Sequence, residues 1–219
     1  DEDIIHVNGK PNPISDFRDI NFELILSDIS TCENILKRII KSKNSEKEKN
    51  LLKSEVSIAL EKLNDNKFLD KDDLSKVIDH FPDVKTLTQK PMFIIANINE
   101  NTQKEQIEKF KSILSENMKL IEVNVKIETD LNELSEVEKI EFMQEFNIME
   151  SALSKIIKTG YNLLDLKTFF TSGDKESRAW AAKKCFNAYE CSGIIHTDIQ
   201  KGFIRAETVS YKDYIKSGS

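Results

Sequence analysis

The chain has 219 residues, 39% of them hydrophobic and 32% charged, with a formal net charge of −6. That is long enough for one or two soluble domains with a core that needs no staples, and no apolar run approaches membrane-spanning length. The start, Asp1-Glu2-Asp3, is the opposite of a secretory leader. Three cysteines, Cys32, Cys185 and Cys191, form no Cys-x-x-Cys pair. An odd number of scattered thiols points to a reduced, cytoplasmic setting with structural roles. Residues 166–219 carry nine Lys and Arg against six Asp and Glu, a balance of +3, which leaves −9 for residues 1–165. The acidic body excludes broad non-specific nucleic-acid binding, while the basic end leaves room for a local RNA contact.

Residues 1–20 lack periodicity and hold Gly9, Pro11 and Pro13, so they read as a connecting segment. From Asn21 onward, Ile25, Ile29, Cys32, Leu36 and Ile39 recur in steps of three and four, one apolar seam on a helix. A polar breaker over 41–50 follows, and Leu52, Val56, Ala59 and Leu63 repeat the spacing. Two such helices joined by a short charged loop are expected to pack antiparallel as a coiled-coil hairpin. Residues 64–86 read as a polar excursion with a short helix over 71–80.

The chain then returns to a core. The run 92–98 (MFIIANI) is nearly all apolar, as a parallel strand covered on both faces tends to be. A helix over 102–117 and a strand over 120–125 complete a strand–helix–strand unit with parallel strands. Ser135 and Glu138 form a capping-box pair that opens a helix to Phe146. Another helix spans 151–164, with Leu153, Ile156, Ile157 and Leu164 on one face. The tail alternates short apolar pieces, 168–170, 178–181 and 203–209, with turns at Gly173, Gly193 and Gly202, and holds a helix near 188–195. It reads as a small mixed α/β module.

Ligands of open α/β sheets bind beyond the carboxyl ends of strands, which places the loop 97–100 (Asn-Ile-Asn-Glu) where a base would be read. Asn97 offers donors and an acceptor. Glu100 is longer than the Asp that reads guanine from an Asn-Lys-x-Asp motif, and the Lys is missing. Adenine's amino group and ring acceptor suit a main-chain carbonyl and amide near Ile98. Taken alone, Asn-x-x-Glu is a weak signal, because an Asn after a strand is usually turn chemistry. The strand end at 123–128 offers a companion wall or nothing more. His196-Thr197-Asp198 reads as a turn or cap, and His6, His80 and His196 share no ligand spacing. None of the six glycines opens Gly-x-x-x-x-Gly-Lys-Ser/Thr, so these residues include no phosphate-cradling loop and no Mg²⁺ site beside one.

Two blocks, FFTSGDKESRAW (169–180) and GIIHTDIQKGFIRAE (193–207), resemble the YchF / Obg-like ATPase family. DEDIIHVNGKPNPISDFRDIN (1–21), the segment 90–100 and SALSKIIKTGYNLL (151–164) extend the likeness over essentially the whole chain. The resemblance implies an α/β P-loop NTPase domain of the Obg type, Rossmann-like, interrupted by an antiparallel helical coiled coil and followed by a TGS domain of β-grasp form. On that pattern residues 1–20 and 87–165 are the C-terminal part of the nucleotide-binding domain, 21–86 the coiled coil, and 166–219 an incomplete TGS domain. Asn97, Ile98 and Glu100 match the family's base-reading motif, with ATP favoured and GTP accepted less well. Asn124 and Val125 fall at its second wall, where Asn124 departs from a usual Ser.

The resemblance further implies Mg²⁺ with ATP in the intact parent, and ribosome or RNA contact through the TGS domain. It predicts cytoplasmic location, no membrane contact, and neither a catalytic residue nor a metal ligand within these 219 residues. The chain alone is expected to hold no cofactor tightly and to be inactive, because the phosphate loop would precede Asp1 and the end of the β-grasp sheet would follow Ser219. The alternative is a non-catalytic coiled-coil and TGS module that docks protein or RNA. Cys185 stands where the family has Gly, which would add strain if that position needs a positive φ.

Overall fold

A computed structural model describes residues 9, 11–115, 118–146, 148–173 and 176–218. It divides into two compact units, Asp1–Ala152 and Leu153–Ser219, each considered by itself below. Among the described residues no helix is long and apolar enough to cross a membrane.

The first unit opens with α1 (Pro13–Lys41), which begins eight residues before the expected start at Asn21. Asn12 caps it: its side chain accepts from Ser15 N at 3.3 Å, and Asp16 Oδ2 accepts from Asn12 N at 3.1 Å. Pro13 sits at the first helical position, where its fixed φ and missing N–H favour the helix. The prolines read as breakers are, at Pro13, a start signal. The breaker 41–50 shrinks likewise to residues 42–45. Ser45 and Glu48 form a reciprocal capping box that opens α2 (Glu46–Asn64) inside the expected loop.

The two helices pack through Ile25, Cys32, Ile35 and Ile39 against Leu52, Val56, Ala59 and Leu63, all buried. The α2 seam is as its spacing predicts. On α1 the seam is rotated slightly: Ile29 and Leu36 are only partly buried, and Asp28 and Ile35 take inner positions. Each large apolar side chain so buried contributes roughly 1.5–3 kcal/mol.

Residues 64–86 are no polar excursion, because Leu69, Leu74, Val77 and Val84 complete the same core. The expected helix 71–80 is only α3 (Ser75–His80), preceded by turns. Leu74, buried with φ 60°, turns the chain into α3. Glu55 on α2 then caps α3 from outside, accepting from Val77 N at 2.9 Å and Lys76 N at 3.3 Å. Asp28, fully buried, fixes the next turn: it accepts from Leu87 N (2.7 Å), Thr88 N (2.8 Å) and Thr88 Oγ1 (2.7 Å). Burial, and secondarily the nearby Asp28 carboxylate, pushes the Cys32 thiol up to about 11.

From that clamped turn the chain enters β1 (Ile94–Asn97), crosses through α4 (Lys104–Lys111) and returns as β2 (Leu120–Val123). The strands pair in parallel as expected, with Ile94 opposite Leu120 and Asn97 opposite Val123. Both are shorter than predicted. Ile95 remains 48% exposed, so β1 is not covered on both faces. Residues 116–117, the end of the expected helix 102–117, lie outside the described residues. The helices α5 (Val125–Glu133) and α6 (Glu136–Glu145) follow, the latter opened by the predicted Ser135–Glu138 capping box.

In the second unit α7 (Ala152–Leu163) precedes an antiparallel hairpin of β3 (Leu166–Ser172) and β4 (Ser177–Lys183). Phe169 lies opposite Trp180, whose Nε1 donates to Thr171 Oγ1 at 2.9 Å, while the Arg178 guanidinium sits 4.2 Å from the Trp180 ring centre. On α7 Leu153 and Ile157 are more than half exposed, so the apolar face read from the sequence is not buried.

Asn187 and Glu190 form a capping box for α8 (Ala188–Ile195). Phe186 and Cys191 flank that cap at the positions of a hydrophobic staple, with Cys191 Sγ 4.0 Å from Phe186 O. Cys185 lies outside the positive-φ positions, which among non-glycine described residues are Asn66, Leu74 and Asp165, so the departure from Gly carries no backbone strain. His196 Nδ1 accepts from Asp198 N at 3.1 Å and caps α9 (Thr197–Lys201), the cap chemistry expected of that triplet. Gly193 is not a turn. It lies inside α8, where a Cβ would come 2.6 Å from Cδ of Gln200. Residues 203–209 form no strand, and the unit closes with α10 (Tyr211–Ser217), whose Tyr211 stacks on Phe170 at 5.6 Å between centroids.

Candidate functional site

The carboxyl end of β1 is built by a short hydrogen-bonded sequence. Ile98 N donates to Val123 O at 2.8 Å, carrying the ladder one residue past the strand. The chain then closes on itself. Asn99 Oδ1 accepts from Asn101 N at 3.1 Å and from the Thr102 hydroxyl at 3.0 Å. The same hydroxyl accepts from Asn99 N at 3.0 Å, and Thr102 N donates to Asn99 O at 3.1 Å. This is the local turn chemistry that Asn side chains offer, here made reciprocal by a threonine.

Beside the loop lies a cavity of about 690 Å³. Its lining combines residues 94–99 with Asn12 and Asp16 from the start of α1, and Gln103, Gln106, Ile107 and Phe110 from α4 and the turn before it. Six carboxamides line it (Asn12, Asn97, Asn99, Asn101, Gln103 and Gln106), against one acid, Asp16, and one base, Lys109. The Asn97 Oδ1 atom is withdrawn from solvent. Apolar walls with many neutral donors and acceptors suit a planar uncharged heterocycle. A single lysine is a poor match for a triphosphate.

Of the residues singled out from the sequence, Asn97 and Ile98 line this cavity; Glu100, Asn124 and Val125 do not. Glu100 is exposed in the turn. Asn124 accepts from Ile127 N at 3.2 Å and caps α5, so the expected strand end is a helix start. Val125 is the first residue of that helix and 51% exposed. Of the main-chain groups near Ile98 expected to suit adenine, the amide of Ile98 itself is already donated to Val123 O. Sequence reasoning missed Asn12, Gln103 and Gln106. Only the Asn12-Pro13 pair carried a readable signal, that of a helix start.

A family model named YchF-GTPase_C, described as a protein of unknown function (DUF933), matches residues 166–219. The ribosome-binding ATPase YchF of Bacillus subtilis is 37% identical over 229 residues, covering all of this chain and 62% of that protein. The ribosome-binding ATPase YchF of Escherichia coli O157:H7 is 38% identical over 223 residues, covering 98% of this chain and 60% of its own length. The solved structure of the Schizosaccharomyces pombe YchF GTPase superposes with a TM-score of 0.75 at 30% identity, covering 93% of this chain and 58% of that one. The chain thus spans about three fifths of the length of the relatives it matches. Sequence likeness over its whole length, a matching tail and a shared α/β fold agree: the chain belongs to the YchF family.

Proposed function

We propose that this chain is part of a nucleoside-triphosphate hydrolase in which the loop after β1 reads an adenine base, with GTP less favoured than ATP. The observation that carries this is the position of Asn97 and Ile98 in a carboxamide-rich cavity at the carboxyl end of a parallel strand. Base reading and phosphate chemistry are separable tasks, and only the first has residues here. The sequence contains no Gly-x-x-x-x-Gly-Lys-Ser/Thr, so the 219 residues alone bind ATP weakly and do not turn it over.

Mg²⁺ accompanies ATP in such enzymes, but among the described residues no three His, Cys, Asp or Glu side chains gather where an ion could sit. The helices α1 and α2 then act as the coiled-coil insertion and residues 166–219 as the TGS module, a regulatory device in a cytoplasmic, ribosome-associated protein. The names of the relatives, ribosome-binding ATPases, support that context. A docking module that never used nucleotide is the second reading, favoured by the +3 balance of residues 166–219.

Titration of the ¹⁵N-labelled chain with adenosine separates the two. The nucleotide reading expects saturable amide shifts confined to Asn97, Ile98 and their cavity neighbours. Shifts nowhere in residues 94–110 at millimolar adenosine would remove it and leave the docking module.

A further inference from the structure

The helix α1 carries two apolar seams, and its packing against α2 uses one of them. The second is made of Phe22, Leu26, Ile29, Leu36 and Ile40, with Glu33 interrupting it between Ile29 and Leu36. Alternating steps of four and three keep these side chains on one face, about a quarter of a turn from the buried seam through Cys32. Ile29 and Leu36 are half-buried against the core, whereas Phe22, Leu26 and Ile40 are exposed. The stripe runs for about 27 Å along the hairpin. The opposite flank of α1 is covered: Arg38 makes a two-pronged ion pair with Asp83 at 2.8 and 2.9 Å, and its guanidinium lies 4.6 Å from the Phe81 ring centre.

The charges beside the stripe say what fits it. Asp19 and Glu23 lie one turn apart at its start, Lys37 and Lys41 one turn apart at its end, and all four are exposed. With Ser30 midway between them, the helical step of 100° per residue puts all five on the same edge of the stripe. Among the described residues none of the four charges has an ion-pair partner within the chain. We infer that this face of α1 is the contact for a second copy of the chain, paired antiparallel about a two-fold axis near Ser30. That rotation sets Glu23 against Lys37 and Asp19 against Lys41, each twice. It also stacks Leu26 on Leu36 and brings Ile40 of the second copy to Phe22. Phe22 lines a cavity of about 580 Å³ together with Phe17, Phe68 and Met118, which gives the incoming Ile40 an apolar seat. A parallel pairing would set acid on acid and lysine on lysine, so the charge pattern selects the antiparallel one. The contact is reversible. One stripe is smaller than the surface of a permanent dimer, and the two Glu33 carboxylates repel across the axis.

The test is sedimentation of the 219-residue chain across a range of concentrations. Its weight-average mass is expected to rise from 25.2 kDa toward twice that value at up to about 500 µM, the range in which a contact of this size assembles. Leu26→Lys should abolish the association. Glu23→Lys and Lys37→Glu should each weaken it about tenfold, because the two-fold axis applies every reversal twice. Glu23→Lys combined with Lys37→Glu rebuilds both pairs with their signs exchanged and should return the affinity to within about threefold of the wild type. All three positions are exposed, so circular dichroism should show an unchanged fold; were Leu26→Lys to unfold, the charge exchange alone decides. A chain that stays at 25.2 kDa throughout overturns the inference and leaves the stripe to a partner of another kind. Association that survives Leu26→Lys in a folded chain, or single reversals that the double variant fails to repair, overturns it equally.

Discussion

Asp28 gives the sharpest test of how the helical core is tied to the strand that bears the site. Its carboxylate is fully buried and accepts from two main-chain amides and a hydroxyl at 2.7–2.8 Å, all on the turn 87–88 that precedes β1. Hydrogen bonds to a charged acceptor contribute about 1.5–3 kcal/mol each, and the cost of burying the carboxylate offsets part of their sum. Deleting the acceptor leaves the amides of Leu87 and Thr88 without their partner. Asp28→Ala should therefore destabilise by about 3–5 kcal/mol, among the largest single-site effects seen in proteins. Thr88→Val removes one of the three bonds, and also the hydroxyl that accepts from Leu69 N at 3.3 Å, so about 1.5–2.5 kcal/mol is expected. In urea, with a slope of about 2–3 kcal/mol/M for a chain of this size, Asp28→Ala should lower the midpoint by about 1–2 M at unchanged slope. The exposed Asp19 on the same helix is the control, and Asp19→Ala should stay within about 0.5 kcal/mol. Because Asp28 and Thr88 share a bond, the double variant should cost less than the two single losses added together. An Asp28→Ala midpoint within 0.3 M of the control, on the order of 1 kcal/mol or less, would show that the buried carboxylate is not what holds the turn.

Two further outcomes follow from the same core. Glu55 supplies the only side-chain cap for α3 among the described residues, so Glu55→Ala should cost about 1–2 kcal/mol and speed exchange of the Val77 amide; unchanged exchange at Val77 would refute the capping role. Cys32 is fully buried with its thiol pushed up to about 11, whereas Cys185 is exposed. In native buffer a thiol reagent should modify Cys185 promptly and Cys32 only as fast as the chain unfolds; modification of Cys32 at the rate of Cys185 contradicts this packing.

How much of this was legible in the sequence differs between the elements for physical reasons. The buried set on α2, Leu52, Val56, Ala59 and Leu63, was readable because apolar periodicity and burial are the same fact seen twice. The rotated seam on α1 was not, because Asp28 is buried through hydrogen bonds made sixty residues away, and no local pattern encodes them. Residues 64–86 looked polar by composition, yet four of their side chains close the core. Composition averages over residues, whereas burial selects them.

Asparagine shows the same limit at the site. Asn12, Asn97 and Asn124 are chemically identical, each at a boundary between elements, and the sequence offered two of them as base-reading residues and none as a cap. Asn12 and Asn124 spend their side-chain oxygens on amides three residues ahead, Ser15 N and Ile127 N, because the residues that follow continue as helix and leave those amides unpaired. After Asn97 the chain does something else. Ile98 N stays in the ladder with Val123 O, so no helix begins there and no first-turn amides are presented for capping. Asn97 accordingly caps no helix and lines the cavity. What separates a cavity-lining asparagine from a capping one is the destination of the next residue's amide, a property of the sheet register between Asn97 and Val123 and not of the four letters Asn-Ile-Asn-Glu.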